Sequence, residues 1–252
     1  MPKESMPILK EPAPKKRTSR KIAIILFLLF LTLLCILFFR SSLSKISEIT
    51  FKGNTYSTNA ELLEISGLKT GAPFFGTSAE KIRSKLMTVP SINEVVVNKS
   101  FPGSIEIEIT EHALAAYELT PDGLLKGLLA NGTKIDLTNG SMPMDKPILT
   151  GWEESDPNLS KLCSTLAQIP DSLTSDISEI TPSPTLSYPD RIKMYTRSRF
   201  EVISAISLLA EKAEYMNMIM ESQDPGMLTL LDADTYMPYD TSNSENDSEN
   251  DS

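Results

Sequence analysis

The stretch Phe101-Pro102-Gly103-Ser104-Ile105-Glu106-Ile107-Glu108-Ile109-Thr110-Glu111 decides the fold of the first half of this 252-residue chain. Ile105, Ile107 and Ile109 alternate strictly with Ser104, Glu106 and Glu108, the pattern of a strand with one buried and one wet face. Pro102-Gly103 in front of it is a turn signal, and Ile92 to Asn98 before that turn is β-branched and strand-like. Further back, Ile82, Leu86 and Val89 recur at helical spacing behind Thr77-x-x-Glu80, and Pro90 ends the run. The same capping-box spacing at Thr58-x-x-Glu61 opens a shorter helix with Leu62, Leu63 and Ile65 on its apolar side, ended near Gly67. Ile46, Ile49 and Phe51 make a short strand that stops at Gly53-Asn54. The order is β-α-α-β-β in about 65 residues, and a small sheet with both helices on one face is how such elements bury their apolar stripes.

Downstream of Glu111-His112 a second core begins. Leu124 to Ala130, Asn131-Gly132 and Thr133 to Leu137 read as a hairpin, with Asn-Gly suiting the two positive-φ positions of a type I′ turn. Pro147 to Thr150 adds a short strand. Asp156-Pro157 opens a helix whose apolar face is Leu159, Leu162, Cys163 and Leu166, closed by Pro170. Cys163 at that spacing is a small hydrophobe. Ile177 to Ile180 and Arg191 to Thr196 are further strands. The longest soluble helix is expected from Phe200 to Glu221, with Val202, Ile206, Leu209, Ala213 and Met220 on one side. After Asp224-Pro225-Gly226, Met227 to Leu231 is a last strand, and Thr235 to Tyr239 extends it or pairs with it.

Upstream, Ile22 to Phe39 is an apolar run of 18 residues, relieved only by Thr32 and Cys35. As a helix it spans roughly 27 Å, close to the apolar thickness of a bilayer. A cleaved secretory signal is the competing reading, but its apolar region is shorter and ends in a small-x-small site, whereas this run ends in Phe38-Phe39-Arg40-Ser41. The first 21 residues contain seven basic and two acidic side chains, so they stand at +5 while the whole chain stands at −9 and its remainder at −14. Lys15, Lys16, Arg17, Arg20 and Lys21 therefore set the topology, with the N-terminus in the cytoplasm and the acidic body exported. The expected organisation is a basic cytoplasmic tail over 1–21, a transmembrane helix over 22–39 with Ile22 and Phe39 at its ends, a first folded unit over 43–112, a β-rich unit with one long helix over 113–239, and a disordered acidic tail over 240–252. The class is α+β.

Most chemistry is excluded by composition. The acidic body argues against nucleic-acid binding. Two cysteines and one histidine leave no disulfide scaffold, no cysteine-based zinc site and no centre that needs two histidines. Ser42-x-x-Lys45 and Ser78-x-x-Lys81 match the serine motif of penicillin-binding enzymes, and Lys69-Thr70-Gly71 matches their K-T-G. One serine motif stands at the membrane surface only a short way before K-T-G, and the other follows it, so neither can assemble that site. Asp232-Ala233-Asp234 resembles the start of a calcium loop, but Met237 stands where the loop needs glycine and Asn243 where it needs glutamate. His112, beside Glu111 at a strand end, reads as a solvated boundary residue, and Met216, Met218 and Met220 as core packing. No catalytic residue, metal, cofactor or small-molecule substrate is expected.

Several stretches taken in order resemble the POTRA domain of the FtsQ/DivIB bacterial cell-division proteins. They are Ile46 to Asn54, the helix with Glu61-Leu62, Gly71-x-Pro73-Phe74-Phe75, Leu86-x-x-Val89-Pro90-Ser91-Ile92, Val95 to Val97, and Phe101 to Glu111. The family usually has a proline shortly after that last glutamate, where this chain has Leu114 before Ala115-Ala116. Asn131 to Ile135 and Met142-Pro143 to Gly151 are similar, more weakly, to the start of the family's second, β-rich domain. The resemblance implies a non-enzymatic, single-pass scaffold of the division septum, in the inner membrane with its body in the periplasm. It implies partners of the small, single-pass coiled-coil kind, FtsB/DivIC-like and FtsL-like. In that family the last strands take up the partner, which on this chain maps to about 227–239, with Leu228, Leu230, Asp232, Tyr236 and Tyr239 as contact candidates and Leu228 and Leu230 equally readable as core. Two alternatives stand beside this reading: a secretion or assembly adaptor of the envelope that uses its POTRA domain, and an anchored cell-wall enzyme. On the strand mapping, Leu230→Pro is expected to abolish partner capture while the POTRA core stays folded.

Overall fold

The alternation along Ile105, Ile107 and Ile109 is realised, with all three side chains buried and Glu108 in water. The computed structural model describes residues 16–120, 123–137, 145–153 and 155–239. Lys15, the stretch at Met142-Pro143 and the acidic tail lie outside the described residues.

Strand β3 (Ser104–Glu111) is the centre of a three-stranded sheet, with β1 (Glu48–Lys52) parallel on one side and β2 (Ile92–Ser100) antiparallel on the other. A parallel pair cannot be joined by a tight turn, so the chain crosses over through α2 (Asn59–Ser66), α3 (Ala79–Leu86) and β2 before it returns. Ile46, Leu62, Ile82, Leu86, Val95 and the three isoleucines of β3 form one core. The Thr58 cap forms as expected: its hydroxyl accepts from Glu61 N (3.3 Å) while Glu61 Oε2 accepts from Thr58 N (2.8 Å). These bonds to the charged form lower the Glu61 pKa. Two details differ. The cap of α3 is Ser78, whose Oγ accepts from Lys81 N, while the Thr77 hydroxyl one residue earlier donates to the Pro73 carbonyl (2.8 Å). Only Leu62 of the three apolar residues in α2 is fully buried, and Leu63 and Ile65 stay partly in water.

Glu111 ends β3 by accepting three backbone hydrogen bonds, from Thr55 N (2.6 Å), Tyr56 N (2.9 Å) and Ser57 N (3.2 Å). After His112 and Ala113 the same chain becomes β4 (Leu114–Leu119), the first strand of a nine-stranded sheet. That sheet also contains β5 (Leu125–Leu129), β6 (Lys134–Asp136), β7 (Ile148–Leu149), β8 (Ile177–Pro182), β9 (Arg191–Thr196), β10 (Glu201–Ala205), β11 (Gly226–Leu230) and β12 (Asp234–Pro238). Its spatial order is β12-β11-β10-β9-β8-β7-β4-β5-β6. Helices α4 (Pro157–Leu166), the single-turn α5 (Asp171–Thr174) and α6 (Ile206–Ser222) complete the unit, and α4 and α6 pack against each other and on the sheet. Leu159, Leu162, Cys163, Leu166, Leu209, Ala213 and Met216 meet Ile177, Ile180, Ile192, Met194, Val202, Leu228 and Leu230 in the second core. Each leucine, isoleucine, valine or methionine among them contributes about 1.5–3 kcal/mol on burial.

Here too the sequence expectation needs correction. Phe200 to Ala205 is not helix: Glu201–Ala205 is β10, and α6 starts only at Ile206. Val202 and Ile206 satisfy helical spacing, but Val202 is drawn into a strand by pairing with Met194 on one side and Leu228 on the other. The β5–β6 turn is not type I′, since Gly132 (φ 83°) has positive φ and Asn131 does not. The Asn131 side chain instead accepts from Thr133 N (3.0 Å) and donates to the Pro90 carbonyl (2.9 Å), tying the hairpin to the first folded unit.

N-terminal to both cores, α1 runs from Lys16 to Arg40, beginning earlier than the apolar run alone indicated. Its segment Arg20–Arg40 is long and apolar enough to cross a membrane.

Burial pushes the Cys163 thiol up to about 12 from 9.0, so it stays neutral in the folded chain. The unfolded chain ionises first, so this group's contribution to stability falls as pH climbs from 9.0 toward about 12. In a Cys35→Ser chain at about pH 8, a thiolate-directed reagent should leave Cys163 untouched until denaturant is added. Stoichiometric labelling of the native chain would contradict this packing.

Candidate partner-binding edge

The second sheet exposes its backbone at β12, because among the described residues no strand pairs with its outer side. Asp224-Pro225-Gly226 turns the chain out of α6 into β11, which runs parallel to β10, and β12 returns antiparallel to β11. Gly226 permits the close approach of the two strands: a Cβ there would lie 2.3 Å from the Met237 carbonyl oxygen and 2.8 Å from Pro238 Cα.

Hydrogen bonds in an antiparallel pair alternate along the strand. Tyr239 N donates to the Pro225 carbonyl (3.1 Å), and Met227 pairs with Met237 and Thr229 with Thr235 in the same phase. The backbone groups of Asp234, Tyr236 and Pro238 therefore face outward, with Pro238 offering a carbonyl but no N–H. A free edge with a proline near one end is partly guarded against indiscriminate pairing.

Three side-chain ties fix the hairpin without covering this edge. The Tyr188 hydroxyl donates to Asp232 Oδ2 (2.7 Å), Lys212 Nζ of α6 meets Asp234 Oδ2 (2.8 Å), and the Tyr236 hydroxyl donates to the Asp224 carbonyl (2.7 Å). The hydrogen bond to Asp232 raises the Tyr188 pKa, and that to Asp234 raises the Lys212 pKa. The Tyr236 ring lies against the core, 6.4 Å from the Phe200 ring.

The five contact candidates are thus separated by the fold. Leu228 and Leu230 are buried, and β11 is an interior strand, so their side chains close the core and face no partner. Leu230 is fully buried in an interior strand, so proline at 230, which removes a backbone N–H and replaces a core side chain, would disturb the domain itself and cannot isolate the edge. Asp232 lies in the turn and Tyr236 is half-buried. Tyr239 remains exposed just beyond β12. Sequence reasoning passed over Met227 and Met237, which are cross-strand partners on the opposite face from Leu228 and Tyr236. Met237 is 65% exposed. The signal was the alternation Thr235, Met237, Tyr239 against Tyr236, legible once the inward phase was known.

The remaining candidates have ordinary places. Ile22 and Phe39 lie in α1, as do Lys16, Arg17, Arg20 and Lys21. Ser78 caps α3, and Ser42 lies in the short 3-10 turn after α1.

A family model for the FtsQ-type POTRA domain matches residues 44–112. The chain is 52% identical to the cell division protein DivIB of Paenibacillus polymyxa, over 100% of this chain and 99% of that protein. It is 33% identical to DivIB of Brevibacillus brevis, over 94% of this chain and 90% of that protein. Among solved structures, the major extracytoplasmic domain of the trans isomer of Geobacillus stearothermophilus DivIB matches with a TM-score of 0.38 and 27% identity, covering 44% of this chain and 94% of that one.

Because Gly226 has no room for a side chain, Gly226→Val should force the hairpin apart at a cost of about 1–3 kcal/mol. Chemical denaturation and faster amide exchange in β12 would register it. Unchanged stability would mean that the two strands are less closely apposed than described.

Proposed function

The chain belongs to the DivIB family of cell division proteins, and we propose that it serves division as a non-enzymatic scaffold, anchored by α1 and holding other membrane division proteins through its folded body. The observation that carries this reading is the free β12 edge, immobilised by the Tyr188–Asp232, Lys212–Asp234 and Tyr236–Asp224 ties yet open along its outer side. A partner strand laid along it would bond to the outward backbone groups of Asp234, Tyr236 and Pro238, each bond adding about 0.5–1.5 kcal/mol net. Selectivity would come from side chains on the exposed sheet face, where Met237, Met227 and Tyr239 form an adaptable apolar strip.

The basic residues at the start of α1 favour an N-terminus in the cytoplasm and a body on the far side of the membrane. The fitting partners are short single-pass coiled-coil proteins, FtsB/DivIC-like and FtsL-like, that cross the same membrane. Confinement of both to two dimensions raises their effective concentration, so a short edge contact suffices for lasting association.

Met237→Lys tests the edge, since it puts an edge-protecting charge on an exposed position and leaves the core untouched. Binding of the purified chain to the extramembrane region of such a coiled-coil partner should weaken about 10-fold or more, with unfolding unchanged. Unaltered affinity would remove β12 as the docking strand. Capture of outer-envelope client proteins in place of coiled-coil partners would favour the adaptor role.

A further inference from the structure

Between the end of α1 and the POTRA sheet there is no free linker. Ser44 Oγ donates to the Phe39 carbonyl (2.7 Å), closing the end of the helix, and the Ser44 carbonyl already accepts from Phe74 N (2.8 Å). Lys45 bridges to Pro73, Ile46 N donates to the Ala72 carbonyl (2.8 Å), and Ser47 N donates to the Gly103 carbonyl (2.8 Å). Gly103 is needed for this approach, since a Cβ there would lie 2.3 Å from the Lys45 carbonyl oxygen. Two loops of the POTRA domain, 71–77 and 101–103, therefore grip the chain within a few residues of Arg40.

At about 2 Å of rise per residue, the four steps from Arg40 through the 3-10 turn to Ser44 cover roughly 8 Å. The polar layer on each side of a bilayer is about 5–7 Å thick. If α1 spans the membrane, both loops must then sit at its headgroup level.

Both loops present aromatic rings there. Lys99 holds the first loop, donating to the carbonyls of Phe74 (2.7 Å) and Thr77 (2.6 Å) with its ammonium 4.5 Å from the Phe74 ring centroid. Phe74 is buried in the core, whereas the adjacent Phe75 is 54% exposed. Phe101, at the tip of the second loop, is 57% exposed. The Phe75 ring lies 5.9 Å from Phe38 and 6.3 Å from Phe39 of α1, and 6.1 Å from Phe101. The apolar surface of the helix thus continues without a break onto the base of the POTRA domain.

We propose that Phe75 and Phe101 insert into the interface of the bilayer that α1 crosses, making the base of the POTRA domain a membrane-docking surface that restrains its tilt. The inference rests on the reading of α1 as the anchor. Its occupant is lipid because the patch is an extension of the spanning helix at the headgroup/acyl boundary, where exposed Phe side chains of surface-bound segments bury, and because rings left in water would forfeit about 25 cal/mol for every Å² of apolar surface.

The test uses the full chain reconstituted into phosphatidylcholine–phosphatidylglycerol vesicles whose acyl chains are brominated near the headgroup. Trp152, packed on the second core with its indole N–H on the Ile180 carbonyl, supplies the baseline emission. Phe75→Trp and Phe101→Trp add probes at exposed positions that do not challenge folding, and flotation through a carbonate wash reports anchoring separately. The expected result is a chain that floats and whose added emission is mostly quenched, while the parent's is not. Flotation with no added quenching overturns the docking surface and leaves the anchor standing, and failure to float overturns both. Blue-shifted, unquenched emission that vanishes in nanodiscs holding one chain would replace lipid with a second copy as the occupant.

Discussion

The passage from β3 to β4 constrains everything on either side of it. Glu111 must end the POTRA sheet with its carboxylate capturing Thr55, Tyr56 and Ser57 N–H, and only His112 and Ala113 separate it from the first strand of the second sheet. With so short a connection the two cores cannot be placed independently. His112 N donates to the Ser91 carbonyl, Ala130 N donates to the Ala113 carbonyl, and Asn131 Nδ2 reaches the Pro90 carbonyl, so the junction is bonded on several sides. At the opposite end of the POTRA domain, residues 44–47 are gripped with similar closeness. The POTRA domain is thereby bonded through its backbone at both ends, to the segment that follows α1 and to the second sheet.

The second sheet shows how a sheet edge is kept open without loss of order. Helices α4 and α6 cover one face, and the interior strands derive their stability from that burial. The edge strand β12 contributes little to the core beyond Tyr236, and it is held by polar ties to the 183–190 loop, to α6 and to the β11 turn. Polar ties at the rim leave the outward backbone groups unpaired, whereas an apolar cover would have sealed them.

Much of this was legible in the chain. The strict alternation of Ile105, Ile107 and Ile109, the Thr58–Glu61 capping box and the Asp156-Pro157 helix start all read correctly, because each depends on neighbours within a few residues. The failures were of one kind. Val202 and Ile206 fit a helical face, but Met194 and Leu228, far from Val202 in the chain, pull it into a strand. Leu228 and Leu230 read equally as core and as partner contacts until β12 is seen to lie outside β11.

The pair Phe74-Phe75 marks the boundary between the two kinds of information. Local sequence determined that a membrane-length apolar helix precedes a β-α-α-β-β unit, because length, capping and alternation are properties of short segments, and the order of several short motifs supplied the resemblance to FtsQ/DivIB proteins. It could not say which of two identical adjacent rings fills the core and which stays exposed, nor which of the last two strands carries the free edge. Those outcomes were decided by tertiary structure, through Lys99 closing on the Phe74 loop and through β11 entering between β10 and β12. The physical reason is that burial and hydrogen-bond satisfaction are settled by whatever the fold brings alongside, and those neighbours are distant in the chain.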